Sequence, residues 1–318
     1  MNPASTSELR GGSAGSFVEN SPFLLENERE YGLWRARKLE YRKHCDAGAV
    51  FELDQRLCFP QGALARQIQH LQAYNFVLFE SSDVLGKQDF LDINQKFGLY
   101  SPDSNPGADA DAVTSLRVVA EADELSRYIP YTNRALNWHT DGYYNPAGRK
   151  ISAFALYCVT QAEKGGGNFF FDHEMMYLLI RDSDPELMEA LMCPDLMEVP
   201  ANIQGNRIVR AQESGPVFSI GPDNGVLHMR YTSRPRNILW KSDKLSQRAL
   251  KLIREILTDG DAVIDIRLNH RQGVICNNIL HGRQAFHDQA GGASRLYYRA
   301  RYYQHISLDH FTGMSGAA

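Results

Sequence analysis

The segment from Asn137 to Pro146 reads NWHTDGYYNP. It sets an imidazole, His139, and a carboxylate, Asp141, two residues apart, and follows them at once with a turn. In an extended chain side chains alternate, so His139 and Asp141 point one way and Thr140 the other. Two ligand-type side chains aimed at one point call for a third partner from a distant part of the chain. The candidates downstream are His173, His228, His270, His281, His287 and His305. His281 stands out in VICNNILHGRQAF, where an apolar strand runs into it and a glycine follows. That context sets the ring at a strand end, where a site can be built. His228, inside VLHMRYT, reads as a packed or hydrogen-bonded residue.

Two histidines and one carboxylate would fill one face of an octahedral metal ion and leave three positions open, as in non-haem Fe(II) oxygenases. Structural zinc suits the set less well, because such sites are closed and commonly use cysteine. Cys45, Cys58, Cys158, Cys193 and Cys276 lie far apart with no CxxC pair, and read as reduced, buried thiols.

A second element is SRLYYRARYY, in which Arg295, Arg299 and Arg301 are separated by even steps. On a strand they share a face. A row of guanidiniums on an aromatic strand is costly unless acids meet it. Arg grips a carboxylate by a two-pronged, charge-assisted contact, which suits a diacid. 2-Oxoglutarate needs both features: its keto acid end chelates a metal and its far carboxylate needs a cation.

These residues must be positioned by the elements around them. Residues 1–20, rich in Ser, Gly and Ala, read as a flexible tail. ENEREYGLWRARKLEYRKH reads as a helix, as does the stretch where Leu64, Ile68 and Leu71 recur. NFVLFE follows as a strand, and Asp83 is expected to cap a helix that puts Phe90, Ile93 and Phe97 on one face. Most of residues 101–125, dense in turn formers and acids, reads as a long loop of the kind that closes over sites. From about 150 onward ISAFALYCV, GNFFFDH, GPVFSIG, VLHMRYT, AVIDIRL, GVICNNILH and RLYYRARYY read as short strands. EMMYLLIRDSDPELMEALM and KLSQRALKLIREIL interrupt them as helices. This is a mainly β chain with flanking α-helices, a sandwich or closed barrel. The expected layout is one domain over 21–318, helical and mixed to about 100 and β-rich over about 130–305.

Bulk properties close off other classes. A net charge of −4 with no long basic run gives no footprint for nucleic acid or an anionic membrane. No stretch is long and apolar enough to span a bilayer, and the N-terminus lacks a signal-type apolar run. The expectation is a cytoplasmic protein acting on a small molecule, with a homo-oligomer compatible with the sequence. GGSAG at Gly11–Gly15 fits a serine-hydrolase elbow, but it lies in the Ser/Gly tail without the required strand and helix. A non-catalytic β-barrel that binds an organic acid would keep the arginine row without iron.

Taken in order, HTDGYY, FALYCVTQAEKGGGNFFFD, GPVFSIGPDNGVLHMRYT, NNILHGRQAF and RLYYRAR resemble the taurine dioxygenase family of Fe(II)/2-oxoglutarate-dependent oxygenases, with its γ-butyrobetaine and glutarate hydroxylase branches. The resemblance covers about residues 60–303. It implies a double-stranded β-helix, a cupin-like jelly roll. It implies His139, Asp141 and His281 as iron ligands, Fe(II) as cofactor, and 2-oxoglutarate and O2 as co-substrates. It implies that an arginine after His281 holds the far carboxylate of 2-oxoglutarate: Arg295 by spacing, with Arg299 near the substrate or sharing the task. Where many members carry Thr after the glycines this chain has Asn168, which can still donate a hydrogen bond. The intact Asp141 speaks against the halogenase variant. The implied activity is hydroxylation of a small anionic or zwitterionic metabolite, with desaturation or epoxidation as alternatives. Tyr143, Tyr144, Arg230, Arg234 and Arg301 are the candidates for meeting that substrate.

Overall fold

The computed structural model describes residues 18–306 except 61, 105–108, 235 and 290, so most of the expected tail lies outside the described residues. Its secondary structure is mixed α/β with many strands. The strands that build the site are β1 (Val50–Glu52), β2 (Phe76–Glu80), β3 (Thr114–Leu116), β4 (Leu136–His139), β5 (Ala153–Thr160), β6 (Asn168–Phe171), β7 (Ile264–Ile266), β8 (Gln272–Cys276), β9 (Leu280–Arg283) and β10 (Leu296–Tyr302). They form two sheets, one in the order β1-β2-β8-β5-β10-β3 and one in the order β7-β6-β9-β4. The β1–β2 pair is parallel and the others are antiparallel.

The alternation of each strand explains how the sheets stack. On β5, Phe154, Leu156 and Cys158 join Phe76, Leu78, Val274 and Tyr297 in one apolar cluster, which also takes Phe170 and Ile279 from around the smaller sheet. The two sheets therefore face each other across this cluster. The residues between them, Ala153, Ala155 and Tyr157, point outward into a second cluster. There they meet Leu71 of α2 (Ala63–Tyr74) and Phe90 and Ile93 of α3 (Lys87–Gln95). On the far side of the smaller sheet, Phe171 and Leu280 pack against α4 (His173–Ser183), α5 (Pro185–Leu191) and α6 (Lys244–Asp259). Each fully buried Phe or Leu contributes about 1.5–3 kcal/mol, so these layers set the distance between the sheets.

Helix α1 (Glu28–His44) forms where its composition predicts, and a buried charge cluster docks it. Lys38 Nζ lies 2.6 Å from both Asp172 and Glu174 at the start of α4. Two expectations need correction. Helix α3 is capped at Gly86 with Asp89 closing the cap, not at Asp83. GVICNNILH is two strands, β8 and β9, separated by a bend at Asn277–Ile279. Most of the described part of 101–125 is loop; Asp103 N donates to Arg301 O, and Thr114–Leu116 forms the β3 edge strand beside β10.

Four imidazoles in this scaffold, His70, His173, His228 and His305, have pKa values pulled down by burial, His228 to about 3 and His305 to about 4. In the unfolded chain they titrate near 6.5. Below that pH the unfolded state binds more protons than the folded one, so stability falls as pH falls. Each histidine that stays neutral costs about 1.4 kcal/mol per pH unit below 6.5. His228 and His305 alone cost about 4 kcal/mol by pH 5, a large part of a typical total stability, and His70 and His173 act in the same direction. Urea midpoints of the metal-free protein should therefore drop steeply between pH 7 and pH 5. A flat midpoint across that range would contradict the buried, neutral assignment.

Candidate active site

Strands β4 and β9 lie side by side with His281 opposite His139. Trp138 and Leu280 take the outward positions, Trp138 against Phe169 with ring centroids 4.5 Å apart. Alternation then turns both imidazoles into the space between the sheets, centroids 4.2 Å apart. Asp141 comes after the end of β4, so strand alternation does not aim it. Two other devices do. Thr140 turns away and ties to the neighbouring segment through Thr140 N to Tyr231 O and Tyr231 N to Thr140 Oγ1. Asn278, in the bend before β9, clamps the Asp141 main chain from both sides: Asp141 N donates to its Oδ1 at 2.8 Å and its Nδ2 donates to Asp141 O at 3.0 Å. The turn then closes through Gly142, whose φ of +66° and close approach to Ile151 exclude a side chain. His139, Asp141 and His281 end with one ligand atom each within 4.8 Å of the others, all three residues buried. Among the described residues no other such group occurs.

The ring orientation is set by the main chain. His139 Nδ1 is 2.9 Å from Asn137 O, and His281 Nδ1 is 2.9 Å from Ile279 O. A carbonyl can only accept, so each Nδ1 carries the proton and each Nε2 keeps its lone pair. This is the outer support that fixes metal-binding histidines. Burial and then the neighbouring His139 hold His281 neutral, with a pKa of about 3; burial likewise lowers His139. Burial alone would raise the Asp141 carboxyl, but the Arg299 and Arg301 guanidiniums and the two imidazoles outweigh it and hold it far below the usual range. At neutral pH the set is thus two neutral imidazoles and a carboxylate, and Asp141 Oδ2 is buried with no hydrogen-bond partner. That donor set fits a divalent transition metal, and the arrangement can hold one on a single face.

The three arginines separate. Arg299 Nη1 sits 3.5 Å from Asp141 Oδ1, and its Nε is buried without a partner. Arg301 is matched by Asp103, Nη2 to Oδ2 2.5 Å, and donates to the Tyr144 hydroxyl at 3.0 Å. Arg295 lies over the Tyr297 ring at 3.8 Å and the Phe286 ring at 4.9 Å; its Nη1 is buried with no partner, and burial lowers its pKa. The three meet different partners: Arg295, just before β10, covers the ring of Tyr297, while Arg299 reaches Asp141 and Arg301 reaches Asp103.

Of the remaining expected residues, Asn168 is buried on β6, its Nδ2 3.5 Å from Gly282 O and its Oδ1 unpartnered. Tyr143 and Tyr144 pack edge to face beside the site, 5.2 Å apart, with Arg234 donating to the Tyr143 hydroxyl at 3.0 Å. Arg230, expected to meet a substrate, instead spends its guanidinium on the main-chain oxygens of Tyr143, Met197 and Glu213. It braces the backbone beside the site. His228 is hydrogen-bonded to Ile151 O, as read. Sequence reasoning missed Asn278, Asp103 and Arg283. The one signal was a pair of asparagines inside an otherwise apolar run.

The family model described as taurine catabolism dioxygenase TauD, TfdA family matches residues 44–301. Two curated relatives share the name uridine-5'-phosphate dioxygenase. The one from Amycolatopsis sp is 32% identical over 165 residues, which is 50% of this chain and 58% of that protein. The one from Streptomyces sp is 28% identical over 235 residues, 70% of this chain and 83% of that protein. The chain therefore spans little more than half the length of the first and most of the second. A solved structure of the non-heme iron oxygenase OrfP in complex with Fe and alpha-ketoglutaric acid aligns with a TM-score of 0.56 at 14% identity, covering 78% of this chain and 80% of that one.

Proposed function

This chain belongs to the taurine catabolism dioxygenase TauD, TfdA family, and from that premise we propose that it hydroxylates a small anionic metabolite at a site built by His139, Asp141 and His281. It is a non-haem iron dioxygenase that uses Fe(II), 2-oxoglutarate and O2. Membership favours an enzyme over the non-catalytic acid binder. We assign the facing sheets to the jelly-roll core of such oxygenases, within one domain.

Bound Fe(II), with its two co-substrates, supplies the oxidising power that turns a C–H bond into C–OH as succinate and CO2 leave. The chain's own residues prepare that step. His139, His281 and Asp141 offer three donors that need no proton removed at neutral pH. Arg295, a buried cation with no acid at ion-pair distance among the described residues, holds the far carboxylate of 2-oxoglutarate, and Asn168 on β6 has a second Nδ2 hydrogen, beside the one given to Gly282 O, to offer it. The Phe154 ring, 4.3 Å from His281, walls the site and excludes water. Arg299, beside Asp141, orients an anionic group of the substrate. The names of the two relatives make nucleoside 5'-phosphates the first substrates to test, ahead of sulfonates, phosphonates and other small carboxylates.

The observation that carries this reading is the convergence of two neutral imidazoles and an unpartnered carboxylate oxygen, buried together. Protein loaded with Fe(II) under nitrogen should develop a weak visible charge-transfer band when 2-oxoglutarate is added. Under air it should release succinate with one member of the anion panel at well above the substrate-free rate. Absence of the band at millimolar 2-oxoglutarate would reject the site; a band without stimulated succinate would reject the substrate class alone.

A further inference from the structure

Arg283 follows His281 by two residues and is not used in the reading above. It is 4% exposed, and Arg295 is 2% exposed. Both guanidiniums stand over one ring: Arg283 lies 4.8 Å and Arg295 4.9 Å from the centre of Phe286. Arg283 gives its Nη hydrogens to the main-chain oxygens of Pro130, Thr132 and Arg134, and leaves its Nε buried and unpartnered. Those oxygens are dipoles and cancel no charge. Among the described residues neither guanidinium has a carboxylate at ion-pair distance. Asp288, the acid whose field reaches Arg295, makes no ion pair with it, and one of its oxygens is itself unpartnered. Arg283 also pairs across the ladder with Asn168, whose Oδ1 is bare.

Two buried, uncompensated cations beside one ring are costly, since each gives up its hydration without a carboxylate in return. Arg230 makes a similar tie to three main-chain oxygens, but Arg283 differs in sharing the Phe286 ring with a second unpaired guanidinium. The arrangement becomes favourable when a full negative charge enters the same pocket. Resting on Arg295 as the co-substrate anchor, we propose that Arg283 is a positioning residue of the 2-oxoglutarate pocket. Its charge, and its hold on Phe286 beside Arg295, make the pocket select 2-oxo acids that carry a second carboxylate. It also links that pocket to the segment 130–134 that leads into β4 and His139.

The test compares 2-oxoglutarate with 2-oxopentanoate, which has the same chain length and keto acid end but no far carboxylate. Binding of each to Fe(II)-loaded, oxygen-free protein is followed by the visible band or by calorimetry. Arg283→Gln should weaken 2-oxoglutarate by about tenfold or more, the scale of one charge-assisted contact, and leave 2-oxopentanoate nearly unchanged. Arg283→Lys, which keeps the charge, should keep most of the preference; it decides the matter if the Gln variant does not fold. A Lys variant that weakens both acids alike, or a Gln variant with wild-type preference, overturns the inference. Arg295→Gln is the separate control. If it too keeps the preference, the anchor assignment fails. If it alone loses the preference, the anchor stands and Arg283 is only structural.

Discussion

His281→Ala, and equally His139→Ala, should lower 2-oxoglutarate-dependent succinate release by at least about a thousandfold, a barrier change of about 4 kcal/mol. The loss follows from what remains. Without one imidazole the site keeps a single neutral nitrogen and the Asp141 carboxylate, and the Arg299 guanidinium already stands 3.5 Å from that carboxylate. Arg299 then competes for Asp141 as its permanent partner, and a weakly held cation loses to it. Iron content should fall with activity. His228→Gln is the control: that imidazole is also buried and neutral, but it lies outside the three-residue group and bonds only to Ile151 O. It should leave iron stoichiometry unchanged. A His281→Ala protein that binds iron one to one and releases succinate normally would place the metal elsewhere.

The three side chains that converge, His139, Asp141 and His281, were legible in the sequence because their chemistry is carried by residue type. An imidazole and a carboxylate two apart, and an imidazole at the end of an apolar run, are each common alone; their order, followed by the arginine-rich strand, made them readable. The sheet layers were legible in part. β5 is an unbroken apolar run from Ala153 to Cys158 buried along its length, which marks a strand covered on both faces, though not which residues face which layer. What could not be read depends on main-chain partners supplied by tertiary placement. Asn278 looks like strand interior in VICNNILH, yet its backbone is at φ +28°, and its amide serves the peptide groups of Asp141 from 137 positions away. Asp103 sits in what reads as a polar loop, yet it is buried and receives Arg301, Tyr303 and Arg149. The even spacing of the arginines was legible, but not the partner each would meet. Arg295 covers the Tyr297 ring, Arg299 stands beside Asp141, and Arg301 is matched by Asp103 and Tyr144.

The glycine after His281 carries the other large expected effect. Gly282→Ala adds one methyl group, and that carbon would stand 2.1 Å from the Phe169 ring and 2.6 Å from Leu136 O. The ring has little room to yield, because Trp138 packs edge-on against it at 4.5 Å. The oxygen belongs to the β4 main chain, which pairs with β9 through this point. Relief therefore requires β9 to move away from β4, and that is the pairing that holds His281 opposite His139. Overpacking of this kind costs about 1–3 kcal/mol, and more where backbone must shift. The variant should lose several degrees in Tm and, unlike an ordinary destabilised variant, should also bind Fe(II) at least about tenfold more weakly at temperatures where it is fully folded. Gly148→Ala, at a glycine with open space around its Cβ position, should change neither, within about 0.5 kcal/mol. If Gly282→Ala lowers Tm but keeps wild-type metal affinity, the strands tolerate the methyl without parting, and the spacing of β4 and β9 does not set the metal site.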